Sequence, residues 1–166
     1  MLKLDHGMQE AARHGITRSP RWHHVELAHL AAQPHCAACK PLTGGPAITL
    51  QGVQVHHIFP FHYCIALGRP DLELDDRNLV TLCESEEGKP APDHHLLIGH
   101  LDDFKSSNLA VVLDATQTYY GMSAEDIRGD HRWLSAVAAK LKPLDKMTDE
   151  DKAAFVAAMN ARFPLL

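Results

Sequence analysis

Cys36 and Cys39 stand three positions apart, with two residues between them, and that spacing constrains the chain more than any other feature it carries. Two thiolates so placed face one tetrahedral ion from a tight knuckle, here His35-Cys36-Ala37-Ala38-Cys39-Lys40, which follows Pro34. Cys83 closes a short apolar stretch that begins at Asn78 and is a candidate third ligand. Position 86 is Glu, so no fourth cysteine sits beside Cys83, and His94 is the best-placed fourth ligand. The Cys36–Cys39 pair alone would read the same as two small buried residues. Cys64 lies in the apolar run Tyr63-Cys64-Ile65-Ala66-Leu67 and is assigned to the core.

The metal reading agrees with the compartment that the chain implies. No apolar stretch is long enough to span a membrane, and the start lacks an apolar run followed by a small-residue cleavage site. The expectation is a cytoplasmic protein without membrane association, where thiols stay reduced and four cysteines suit zinc better than disulfides. At 166 residues, 45% apolar and 22% charged, the chain suits one domain with a small appendage, and a metal would brace its looser parts.

The pattern of elements predicts an α+β fold. Residues 1–16 read as an N-terminal arm or frayed helix. Ser19-Pro20 reads as an N-cap followed by proline in the first turn, opening a helix to about Ala32 with Trp22, Val25 and Leu30 inward. Residues 47–56 read as two short strands with a turn at Gln51-Gly52. A loop with a short helix through Leu67 follows, then a turn at 68–71, the apolar segment 78–83, a polar loop over 84–92, and a helix from His94 capped by Asp93. Ser123 with Asp126 predicts a helix to about Leu141, and Thr148 with Asp151 a second to about Arg162. Their apolar faces (Trp133, Leu134 and Val137, then Phe155, Val156 and Met159) are read as packing surface.

Thirteen histidines are many for this length, and two pairs carry the chemistry. His56 and His57 are adjacent at a strand end, where successive side chains point to opposite sides. One ring can bind a metal while the other faces a substrate. His94 and His95 diverge by about 100° on a helix, so one can turn to the zinc and the other to a second metal. His100, five residues past His95, should point elsewhere on a regular helix; His62 is similar, and His23, His24 and His29 are read as surface or packing residues.

Taken in order, Cys36-x-x-Cys39, Val55-His56-His57-Ile58-x-Pro60, Asn78-Leu79-x-x-Leu82-Cys83 and His94-His95 resemble the HNH nucleases, which have the ββα-metal (His-Me finger) fold. Arg18-Ser19-Pro20-x-Trp22 also looks like a lead-in to such domains, and the likeness spans roughly residues 18–103. The resemblance implies a nuclease domain over 17–115, followed by a helical extension over 116–166. It implies that His56 and His95 hold a catalytic divalent cation (Mn2+, Ni2+, Mg2+ or Zn2+), that His57 is the general base, and that Asn78 orients the base through its loop. It implies a structural Zn2+ on Cys36, Cys39, Cys83 and His94. The chain departs from the pattern in two ways. The usual Cys-x-x-Cys-His end appears as Cys83, a ten-residue insertion and then His94-His95, and the net charge is −5.

The implied reaction is endonuclease hydrolysis of phosphodiester bonds, with DNA the expected substrate. A histidine titrating near neutrality suits water activation, and a divalent cation suits the leaving oxygen. The acidic balance excludes a broad nonspecific grip on phosphates, so contact must be a local patch, in which Arg21, Arg69, Arg77 and Lys105 are candidates, or must lean on the metal. The alternatives are a noncatalytic zinc module that binds nucleic acid or protein, and an interaction protein whose histidines bind metal adventitiously.

Overall fold

The computed structural model describes residues 6–40, 52–84 and 92–165. Helix α1 (His6–Arg13) buries Ala11 and ends at Gly15, whose φ of +67° suits the left-handed step that closes a helix. Helix α2 (Trp22–Ala32) starts later than Ser19-Pro20 predicts. Ser19 instead shapes a lead-in turn, its carbonyl accepting from Trp22 N and its hydroxyl from Arg21 N. Trp22 and His29, two turns apart on one face, are the buried residues of α2.

Strand β1 (Val53–His57) pairs antiparallel with β2 (Leu79–Cys83), with Val53 opposite Cys83 and His57 opposite Leu79. This differs from the expected hairpin around Gln51-Gly52. The first of those two predicted strands lies outside the described residues, and the partner of the second comes from beyond a long connection. That connection holds α3 (Phe61–Ala66) and two tight turns, Pro70–Glu73 and Asp76–Asn78.

Directly opposed residues share a face of the ribbon. His57, Val55, Leu79 and Thr81 therefore face α2, where Thr81 Oγ1 donates to the Gln33 carbonyl and Trp22 lies on His57. His56, Gln54, Val80 and Leu82 face the other way, towards a wide π-type turn, His95–Gly99. That turn takes the place of the helix expected from His94. The predicted Asp93 cap is present, its carboxylate accepting from Leu96 N.

A short helix α4 (Val111–Leu113) leads into a second wide turn. The helix expected from Ser123 to about Leu141 is two helices, α5 (Ala124–Gly129) and α6 (His131–Ala138). Asp130 breaks it, adopting extended backbone and capping α6 through Arg132 N. Helix α7 (Asp149–Arg162) begins with the capping box that Thr148 and Asp151 predict.

Trp133, Phe155 and Met159 pack as expected, whereas Leu134 is exposed. Phe59 meets Phe155 and Phe163 edge-on at 5.4 and 5.9 Å, and Tyr63 lies 5.2 Å from Phe155. The last helix is thus part of the same core as the loop that follows His57. Each such ring contributes on the order of 1.5–3 kcal/mol through burial.

Candidate metal centres

The knuckle is tied to the sheet by Ala37 N, which donates to the Thr81 carbonyl of β2 at 2.9 Å. This places Cys36 and Cys39 beside Cys83 at the strand's end, with His94 entering from the far side of the 84–93 insertion. The four form one group that could hold a metal ion. His94 Nδ1 lies 3.4, 3.5 and 3.3 Å from the sulfurs of Cys36, Cys39 and Cys83, and the Cys39 and Cys83 sulfurs are 3.9 Å apart. A tetrahedral zinc has edges of about 3.6 Å between sulfur and nitrogen and about 3.8 Å between sulfurs, from bonds of about 2.3 and 2.0–2.1 Å.

Electrostatics points the same way. Hydrogen bonds from Cys39 and Cys83 hold the Cys36 thiol far down, while sharing with Cys36 pushes Cys39 up to about 12 and Cys83 up as well. One sulfur can carry charge only at its neighbours' expense, and a divalent cation removes that conflict. The Cys3His group fits a structural zinc site.

His56, His95 and His100 form a second such group. Their ring centroids lie 5.4, 4.8 and 4.8 Å apart, and His95 Nε2 is 3.2 Å from His100 Nε2. The edge of a tetrahedron with metal–nitrogen bonds of about 2.0–2.1 Å is about 3.3–3.4 Å. His100 Nδ1 donates to the Ser106 carbonyl at 2.7 Å, which leaves its Nε2 with the lone pair. His56 Nε2 is buried without a hydrogen-bond partner, an orphan that an ion would satisfy.

Sequence reasoning set His100 aside, and the wide turn is why it belongs here. Residues five apart sit about 140° apart around an α-helix, whereas i→i+5 closure stacks them on one side. Gly99 supplies the space, since a Cβ there would meet His56 Cε1 and Nδ1 at 3.1 Å and Leu82 Cδ1 at 3.2 Å. Desolvation, then the charges of His100 and His95, hold His56 well below the usual histidine range. Burial and the two neighbouring rings therefore favour the neutral, ligating form at His56.

His57 leaves the strand on the opposite face. Its Nε2 donates to the Glu73 carbonyl at 2.9 Å, so Nδ1 carries the lone pair. The ring is buried 4.7 Å from Trp22 and 5.8 Å from Phe61. Burial, followed by the Arg18 guanidinium, pushes its pKa down to about 3. The sequence expectation of titration near neutrality does not allow for that burial.

Asn78 is fully buried and clamps the loop after His57. Its Oδ1 accepts from Phe59 N at 2.8 Å, and its Nδ2 donates to the Phe59 and Leu72 carbonyls at 3.0 Å. Its own carbonyl accepts from Ile58 N. The Leu72 bond also fixes the chain next to Glu73, whose carbonyl orients His57.

Of the candidate phosphate contacts, Arg69 and Arg77 are engaged by Asp71 and Asp75, at 2.8 and 2.6 Å, while Arg21 and Lys105 are exposed. His29 is buried rather than superficial, with Nδ1 2.6 Å from Asp76 Oδ1. His62 is buried against the His14 ring. No protein-family model, curated protein or solved structure matches the chain.

Proposed function

We propose that the chain is a metal-dependent endonuclease of the HNH type, with β1, β2 and the His95–Gly99 turn as its ββα-metal core and nucleic acid, DNA foremost, as its substrate. The observation that carries this reading is the parting of two adjacent histidines across β1. His56 joins His95 and His100, while His57 is oriented by a backbone carbonyl and kept neutral by its burial.

In this reading His56, His95 and His100 are the residues that would hold the catalytic cation. The cation supplies Lewis acidity and offsets charge at the leaving oxygen. His57 Nδ1 accepts the proton of the attacking water as the new P–O bond forms and the P–O bond to the leaving oxygen breaks. Asn78 keeps His57 and the Glu73 carbonyl in register. Cys36, Cys39, Cys83 and His94 hold the zinc that fixes β2 and the entry to the wide turn. Three imidazoles and no carboxylate favour zinc, nickel or manganese over magnesium.

The burial of His57 beneath Trp22 and Phe61 favours a second reading, a noncatalytic zinc-binding module that binds nucleic acid or protein. Plasmid nicking separates the two. His57→Ala is expected to fold, keep its metals and lose about 10²- to 10⁴-fold in rate. A metal-loaded His57→Ala protein that nicks at the wild-type rate removes His57 as the base, and a wild type that never nicks with metal bound removes the nuclease reading.

A further inference from the structure

The last carbonyls of any helical segment lack a partner within it, and a single wide turn is nearly all terminus, so its carbonyls need donors from elsewhere. In His95–Gly99 those donors come from far along the chain. The Leu97 carbonyl accepts from the Trp133 indole Nε1 at 2.9 Å, the Ile98 carbonyl from Asn108 Nδ2 at 3.1 Å, and the Gly99 carbonyl from Asn108 N at 2.9 Å. Asn108 is itself fixed, its Oδ1 accepting from Ala110 N and its Nδ2 also donating to Asp114.

The chain turns back towards Asn108 through Leu101 and Asp102, at φ +53° and +59°. Such backbone costs on the order of 1–3 kcal/mol for a residue other than glycine, and persists only where surroundings hold it. Arg128 of α5 grips the Asp102 carboxylate with two bonds, at 2.8 and 3.0 Å. The helices after residue 116 therefore brace the turn that carries His95 and His100.

We propose that Trp133 is a positioning residue for the His56–His95–His100 centre, acting through the Leu97 carbonyl. Its buried indole fixes the height of the wide turn over β1, and so the distance of His95 and His100 from His56. The proposal rests on the reading that these three histidines hold a cation.

The test is a Co2+ titration of the full chain, with zinc already on the Cys3His site, followed by visible absorption. Trp133→Phe keeps an aromatic ring and removes the N–H. It is expected to weaken Co2+ binding by about 10- to 100-fold while keeping the Cys3His zinc. Phe155→Leu serves as a packing control that lowers the melting temperature and leaves Co2+ affinity within about twofold of wild type. Should Trp133→Phe fail to fold, Asn108→Ser, which frees the Ile98 carbonyl, carries the same expectation.

Unchanged Co2+ affinity in the folded variant, or equal losses in Phe155→Leu, overturns the proposal. A wild type that binds Co2+ but nicks no DNA defeats the nuclease reading and leaves this one standing. A wild type that binds no second ion overturns the positioning role together with the triad.

Discussion

His57 and His62 are buried imidazoles whose environments oppose protonation, and each makes the fold sensitive to acid. Burial is the largest cause for both, followed by Arg18 for His57, held down to about 3, and by His14 for His62, held down to about 4. A lowered folded-state pKa means that the unfolded chain takes up protons first as the pH falls. The stability these rings contribute is present above about pH 6.5 and is lost between there and about pH 3–4. His62→Phe keeps a ring against His14 and removes one titrating group, so its melting temperature should fall less than wild type's between about pH 7.5 and about pH 5. Parallel pH dependences in the two proteins would contradict this. At this scale the sequence was informative about residue types and poor about surroundings. Adjacency of His56 and His57 on a strand predicts that they part, and they do. Nothing in Val55-His56-His57 tells that Trp22, from α2, covers His57.

Short elements carry both metal groups, and their legibility depended on how local their hydrogen bonds are. The knuckle and the Thr148–Asp151 capping box are defined by residues three apart, and the chain's letters are enough to place them. The wide turn is defined by i→i+5 closure and by donors from Asn108 and Trp133, so no local pattern announces it, and His100 was lost with it. The pairing of β1 with β2 was hidden for a similar reason, because Gln51-Gly52 offers a nearer turn than the long loop that actually joins the strands. Two substitutions test these elements separately. Cys36→Ser should lose zinc and melting temperature together, since such a site contributes about 10 kcal/mol or more to folding; unchanged values of both would remove the structural zinc. Gly99→Ala should push the His56 ring from below, costing about 1–3 kcal/mol through overpacking. It should also weaken the second ion by about 10-fold or more, with the Cys3His zinc retained. Wild-type affinity for that ion in Gly99→Ala would show that the close approach to His56 is unimportant.

Across the whole molecule, the helices of the C-terminal third and the ribbon share one core, and the metal groups sit on the ribbon's two sides rather than in separate lobes. The α+β character and the C-terminal helices were legible from capping residues and apolar faces. The packing of Phe155 and Phe163 on Phe59 was not, because it joins segments distant in sequence. Arg69, Arg77, Arg128, Arg132, Lys140 and Lys142 each hold a carboxylate of the same chain, in a protein of net charge −5. In the proposed nuclease, catalysis would then depend on an ion held by His56, His95 and His100 more than on phosphate contacts elsewhere. The measurement that tests this most directly is plasmid nicking by protein from which mild chelation has removed all metal but the Cys3His zinc, followed by stepwise return of Mn2+ or Ni2+ with bound metal counted at each step. The account predicts no nicking with the zinc alone, activity rising to a plateau as one further ion binds, and no recovery in His100→Ala. Nicking that persists without the second ion, or that stays absent when both sites are filled, would contradict it.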